Sequence, residues 1–412
     1  MHQPRSRLNF AFPALRSRNY RLFFAGQMVS LIGTWMQQIA MTWLAYRLTD
    51  SVAMLGLVGF AGQIPILLFS AYAGVWNDRL DRRRLLMATQ ALSMAQALLL
   101  FGLTMTHLIT PTALVGLAFL LGCINAVDLP ARQAFVAQLV DDKADLPNAI
   151  GLNSFLMNAS RFVGPALAGL LVATAGEAAC FLINAGSYLA VLLALTAIRV
   201  AARPPRPHQP AWTALRSGFD YAFRHPQIRL PLMMVAGFSF LVTPYAVMMP
   251  VFAREFFQGG AETYGFLIGS AGFGSLSAAL FLAFRGSQQH GGLDRLVARA
   301  TLTGGTLLAA FALTPTITIA YPLLATLGFS VILTVAGSNT LIQMVVEDDY
   351  RGRVMALFST AFLGIAPLGS LAVGALAEVW DVRPTLLCCG LGAAMLGIAY
   401  LRQIGRARSQ EP

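Results

Sequence analysis

Apolar runs of roughly 20 residues recur along the whole chain, and they leave few folds open. A helix rises 1.5 Å per residue, so about 20 apolar residues cross the ~30 Å hydrocarbon layer of a membrane. Twelve runs reach that length, at about 22–46, 52–75, 85–106, 111–133, 149–175, 178–198, 228–253, 263–284, 293–314, 316–340, 353–378 and 384–402. With 57% hydrophobic and 11% charged residues among 412, and a mean hydropathy of +0.64, a soluble globular protein is excluded. The sequence predicts an all-α integral membrane protein. The first run is too long for a signal-peptide core and further spans follow it at once, so it is expected to stay in the mature protein.

The net charge of +11 is distributed as a membrane protein requires. With both termini placed inside, 25 of the 29 Lys and Arg fall in inner segments; Arg161 lies within a span, and Arg47, Arg254 and Arg383 lie at outer ends. Basic residues resist translocation, so this bias sets the orientation, and it accounts for a pI near 10.1 without a nucleic-acid partner. The densest cluster is Arg79, Arg82, Arg83 and Arg84, between the second and third runs.

Polar residues inside the runs are the next signal, because lipid satisfies no hydrogen bond. Gln27, Ser30, Thr34, Gln37, Gln38 and Met41 recur at helical spacing in the first run, either lining a cavity or bonding neighbouring helices. In the fifth run Ser154, Met157, Asn158, Arg161 and Pro165 share a face, placing a guanidinium about 18 Å from the inner end. An unpaired cation at that depth costs about 2.5–3.5 kcal/mol, so Arg161 faces substrate or water, or ties two helices. Ser239, Thr243 and Tyr245, and Thr326, Ser330, Thr334 and Ser338, mark two later runs. The third run reads as almost wholly apolar and is expected to face lipid; Asp128 is expected one turn from the inner surface, and Asp50-Ser51 as a helix N-cap. Pro204 to Pro210 reads as a linker, followed by an amphipathic helix from Trp212 to Phe223. At an offset of about 205 residues Gly164 and Gly169 align with Gly369 and Gly374, which suggests two parallel six-span repeats.

The stretch Gly74-Val-Trp-Asn-Asp78-Arg79-Leu-Asp-Arg82-Arg83-Arg resembles the loop between the second and third helices of the major facilitator superfamily. Asp81 departs from it, standing where the general motif has a second glycine. Asp128-Leu-Pro-Ala-Arg and Asn158-Ala-Ser-Arg-Phe-Val-Gly164-Pro165-Ala-Leu-Ala-Gly169 narrow the resemblance to the enterobactin-exporter, macrolide-efflux and transmembrane-secretion-effector branch. The resemblance implies the major facilitator fold: 12 transmembrane helices in two pseudo-symmetric six-helix bundles, residues 1–198 and 228–412, joined by a cytoplasmic linker, 199–227. It also implies a bacterial inner-membrane location with both termini cytoplasmic. Gly74, Asp78, Arg79, Arg82, Arg83 and Asp128 would form the gate, with Arg79 or Arg82 pairing Asp128 and Asp78 at the N-terminus of span eleven. Gln27, Thr34, Gln38, Asn158, Arg161, Tyr245, Ser330 and Thr334 would line the substrate cavity, and Gly164, Pro165 and Gly169 would form a packing motif.

Catalytic chemistry is missing from the sequence. The only lysine, Lys143, follows no Walker A glycine; the five histidines make no paired metal motif; no Gly-x-Ser-x-Gly elbow occurs. An enzyme is therefore not expected, and the resemblance implies a monomeric, cofactor-free, metal-free secondary active transporter. By the same resemblance it would export a small siderophore-like or drug-like molecule with protons as coupling ion and membrane lipid around it, the substrate being anionic or phenolic in view of Arg161. A lysolipid or amphiphile transporter and an uncoupled facilitator are the alternatives.

Overall fold

The computed structural model describes residues 12–200, 211–285 and 292–408; for 70–79, 211–215, 285 and 406–408 the helical backbone alone is described. After a 3-10 turn (Pro13–Arg16) come α1 (Arg18–Thr49), α2 (Val52–Arg79), α3 (Arg82–Met105), α4 (Pro111–Leu139), α5 (Leu146–Ala175) and α6 (Glu177–Ala197). The second half holds α7 (Ala211–Arg224), α8 (Pro226–Leu241), α9 (Tyr245–Val251), α10 (Ala261–Arg285), α11 (Leu293–Leu313), α12 (Ile317–Val345), α13 (Asp348–Ser359), α14 (Ala366–Trp380) and α15 (Val382–Arg408). Eleven helical segments among the described residues are long and apolar enough to cross a membrane. The first expected span is not one of them: α1 is 32 residues long, but its polar stripe dilutes its hydropathy.

Local chemistry explains the boundaries. Ser51 caps α2 as expected, its Oγ accepting from Met54 N at 3.2 Å, and Asp50 in the left-handed region ends α1. Asp81, where the sequence departs from the glycine of the general motif, caps α3 by accepting from Arg84 N at 2.8 Å. Two expected spans are broken by π-helical turns, Phe252–Phe256 after α9 and Thr360–Gly364 between α13 and α14. Pro244 and Pro250 precede the first and Pro367 follows the second; each lacks the N–H that a regular helix needs. The fourth span runs past its expected end at 133 to Leu139, which sets Asp128 eleven residues, about 16 Å, inside the helix and not one turn from its end.

The helices pack alike twice. A Cβ on Gly164 would collide with the Trp35 side chain, and 205 residues on, a Cβ on Gly369 would collide with the Phe240 backbone. Two further crossings join the halves of the chain. On α5, a Cβ at Gly169 would lie 2.6 Å from the Ala261 carbonyl and 3.0 Å from Gly265 Cα on α10. On α14, a Cβ at Gly374 would lie 2.9 Å from Gly56 Cα on α2. Only glycine allows backbones so close, the small-residue packing that membrane helices use in place of a hydrophobic drive.

Among the described residues the apolar core is shared between the halves at one end only. At the end remote from Arg18 and Arg408, hereafter distal, one cluster joins Leu44, Tyr46, Leu55 and Val172 to Phe252, Tyr264, Leu308 and Val373. Nearer the termini, the first half has its own cluster around Tyr20, Phe135 and Leu195, and the second half its own around Ile228, Val346 and Phe358. There α7 packs on α13, with Tyr221 stacked on Tyr350 at 4.1 Å and Arg353 donating to Ser217 Oγ at 3.0 Å, while Phe219 and Phe223 stay exposed. The amphipathic helix expected at 212–223 is thus formed, and its inner face belongs to the second half.

Gly169→Val would force α5 and α10 apart at a cost of about 1–3 kcal/mol. The melting temperature of the purified protein should fall, whereas Gly186→Ala, with no atom within 4 Å of the new carbon, should leave it unchanged.

Candidate functional site

Where α5 crosses the seam between the halves it carries Arg161, fifteen residues from the start of the helix. The guanidinium lies over the Trp35 ring of α1, 5.3 Å from its centroid, and interacts electrostatically with the Tyr245 hydroxyl of α9. The backbone at Arg161 touches Gly272 of α10, and Phe162 meets Phe273 edge-on at 5.6 Å. Among the described residues no carboxylate pairs with Arg161. A half-buried cation is therefore held over one aromatic face with no described carboxylate against it.

Of the expected cavity residues, Arg161 and Tyr245 come together, and half-buried Asn158 lies one turn before Arg161, its amide donating to Ser154 O at 2.8 Å. Thr34 is half-buried beside Trp35, and Gln38 is exposed one turn on. Gln27 is buried at 2% exposure, with no hydrogen-bond partner described for Oε1. Ser330 and Thr334 are buried where α12 meets α11; Thr334 Oγ1 lies 3.3 Å from Thr301 Oγ1, and the Ser330 Cβ packs at Gly304. Trp35 was missed, although it sits inside the polar stripe that the sequence marked.

A buried amide chain was missed as well. Gln37 Nε2 donates to Gln96 Oε1 at 2.9 Å, Asn184 Nδ2 donates to Gln37 Oε1 at 2.8 Å, and Gln96 Nε2 donates to Leu117 O at 3.1 Å. The α1 stripe thus bonds α3 and α6 through Gln37. The third span is not the plain lipid-facing helix expected: Thr89, Gln90, Ser93 and Gln96 are all buried, and their three- and four-residue steps were the overlooked signal.

The described gate residues are engaged within the first half. Asp128, 1% exposed, accepts from Thr89 Oγ1 at 2.7 Å, Gln90 Nε2 at 2.8 Å and the Arg132 guanidinium, with Nε at 3.1 Å. Its described cationic partner is therefore Arg132, one turn along the same helix, where Arg79 or Arg82 had been expected. Arg82 donates to Ala134 O at 3.5 Å, and Arg83 caps the end of α6 by donating to Leu195 O at 2.6 Å and Thr196 O at 2.9 Å. The side chains of Asp78 and Arg79, and the surroundings of Gly74, lie outside the described residues. Gly164 and Gly169 make the close contacts already described, and Pro165 is buried between them, its carbonyl against Gly265.

The side-chain ties described between the halves gather at the distal end. Tyr46 Oη donates to Glu255 Oε1, Arg254 pairs with Asp50, and Glu378 Oε2 accepts from Ser51 Oγ at 3.2 Å and Ala53 N at 2.8 Å. Trp43 stacks on Tyr264 at 6.1 Å.

Comparison with known proteins fits this arrangement. Residues 9–410 match the family described as transmembrane secretion effector. The chain belongs to that family. Its members are transporters of the major facilitator type and not enzymes. Among relatives, the staphyloferrin A transporter of Staphylococcus aureus is 28% identical over 92% of this chain and 95% of its own. The multidrug efflux pump Tap of Mycolicibacterium fortuitum is 23% identical over 87% and 89%, and the enterobactin exporter EntS of Salmonella choleraesuis is 22% identical over 94% and 93%. In three dimensions the nucleoside transporter NupG superposes with a TM-score of 0.71 at 15% identity, over 93% of this chain and 98% of that one, a likeness of fold.

Asp128→Ala would strand Arg132 beside two unpaired polar groups. Losing one partner of a buried pair costs about 3–5 kcal/mol. Thermal melting should show a large destabilisation, and the isosteric Asp128→Asn a smaller one.

Proposed function

We propose that the protein is a proton-coupled secondary active exporter of a small organic molecule bearing a carboxylate or phenolate. Arg161 carries this reading. It is deep in a helix, on the seam between the halves, backed by Trp35 and Tyr245, and no carboxylate pairs with it among the described residues. Binding an anion there replaces the missing counter-charge. The relatives named for siderophore and drug export support the same substrate range.

In this reading residues 1–198 and 228–412 are two six-helix bundles of a 12-span carrier, with α1 as the first span and 199–227 as the linker. The duplicated seats of Trp35 in Gly164 and Phe240 in Gly369 support the repeat. The carrier is a monomer in the bacterial inner membrane, with lipid around it and its termini in the cytoplasm, as the arginine distribution favours. The distal end, closed by the shared core and the ties around Tyr46, then faces outward, and the separate cores nearer the termini face inward. An exporter loads its cargo in this state. Rocking of the bundles about the two glycine seams would expose Arg161 to the other side in an antiport cycle, and Gly74, Asp78, Arg79, Arg82 and Arg83 would close the inner end.

Energised inverted vesicles test this with a panel of catecholate and carboxylate siderophores, macrolides and cationic dyes. Uncoupler-sensitive accumulation of an anionic or phenolic member is expected, with a fall of at least tenfold in Arg161→Ala and partial recovery in Arg161→Lys. Flux that ignores the uncoupler would identify an uncoupled facilitator, and accumulation of a lysolipid alone would identify an amphiphile transporter.

A further inference from the structure

A coupled carrier needs a group that takes up a proton on one side and changes its contacts when it does. Among the described residues the two buried carboxylates, Asp128 and Glu177, fail the second requirement. Asp128 bonds Thr89, Gln90 and Arg132, and Glu177 bonds Arg47 at 2.7 Å; both sets of partners lie in the first half and travel together. Among the described residues three carboxylates bridge the halves, all at the distal end: Asp50, Glu255 and Glu378.

We propose that Glu255 is the proton-binding site of the transport cycle, and that protonation from the distal side releases Tyr46 and unlocks the distal end. The inference rests on the coupled-exporter reading above. Glu255 is exposed, so a proton reaches it, yet the hydroxyl it accepts from belongs to Tyr46, a residue 1% exposed and packed in the core that both halves share. It therefore connects distal water directly to that core. Asp50 and Glu378 do not. The Asp50–Arg254 pair is exposed on both sides, at 67% and 48%, a setting in which ion pairs contribute about 0–1 kcal/mol. Glu378 is exposed and caps the start of α2.

The surroundings favour a switch. Glu255 sits in the π-helical turn Phe252–Phe256, a backbone irregularity common at functional positions. The charged and titratable groups around this turn are few. From α1 come Tyr46 and, just beyond it, Asp50. From the turn itself comes Arg254, which is occupied by Asp50 and lies over the Tyr46 ring at 5.6 Å. From α10 comes Glu262, bonded to Gly260 N at 3.1 Å, and from α15 comes Arg383, 4.2 Å over Phe256 and donating to Thr314 O at 3.3 Å. Also from α10, Tyr264 packs in the same apolar cluster as Phe252. No arginine is described in direct contact with the Glu255 carboxylate. A proton on it removes one negative charge and turns a charge-assisted bond with Tyr46 into a neutral one, roughly half as strong.

The test uses the full chain in nanodiscs, with the four native cysteines replaced by Ala and spin labels on Leu108→Cys and Thr316→Cys, exposed distal positions in the two halves. Dipolar distances are read between pH 7.5 and 4. Acidification should shift the parent towards longer distances. Glu255→Gln should adopt the long distances at both pH values, and Tyr46→Phe, which keeps the ring but lacks the hydroxyl, should do likewise. Asp50→Asn should retain the pH response. A parental pH response that survives in both Glu255→Gln and Tyr46→Phe overturns the proposal, as does a parent that does not respond to pH. Vesicle transport separates this inference from the one beneath it. Parental accumulation insensitive to uncoupler removes proton coupling whatever Glu255 does, whereas uncoupler-sensitive accumulation undiminished in Glu255→Gln removes the role of Glu255 alone.

Discussion

Lipid tails are as apolar as the side chains they surround, so helices in a membrane gain little by hiding from them, and cohesion depends on how closely backbones approach. In this protein the halves approach closely at Gly169 against Gly265, at Gly272 against Arg161 and at Gly374 against Gly56. They are narrow, they involve few polar groups, and they sit beside an apolar core continuous across the halves only distally. Hydrogen bonds elsewhere run mainly within a half, as in the Gln37–Gln96–Asn184 chain and the Asp128 cluster. Stiff halves joined along small-residue seams can rotate with little loss of contact.

That division also explains the placing of the polar residues. Those bonded within a half rigidify it; those left over mark what moves or binds. Gln37 and Gln38 are neighbours in sequence, yet one is buried in an amide chain and the other is exposed. Thr334 completes a contact between helices, whereas Arg161 has an aromatic face and no counter-charge.

The helical class, most span positions, the Ser51 cap, the linker helix and the aligned glycines were legible in the sequence because each follows from a local rule: length of apolar run, side-chain capping, amphipathic period, absence of a Cβ. Arg161 was legible because a charge in an apolar run has few explanations. What was not legible depended on partners distant in the chain. The third span looked plain because Gln90 and Gln96 are two among many apolar neighbours, and only Asp128, Gln37 and Leu117 reveal what they are for. Asp128 was judged too near the surface because a hydropathy boundary near 133 was taken for the end of a helix that runs to Leu139. The π-helical turns left no periodic trace, although the prolines beside them did.

The repeat itself is uneven in one telling place. Trp35 and Phe240 occupy corresponding seats against Gly164 and Gly369, but the position 205 residues after Arg161 is Ala366. The charge exists on one side only. A ligand gripped by Arg161 would be a passenger of the first half throughout its journey, and the second half would serve as a lid closing over it from alternate directions. Selectivity for charge can then drift by changes in one half, while the fit of the lid is tuned independently in the other.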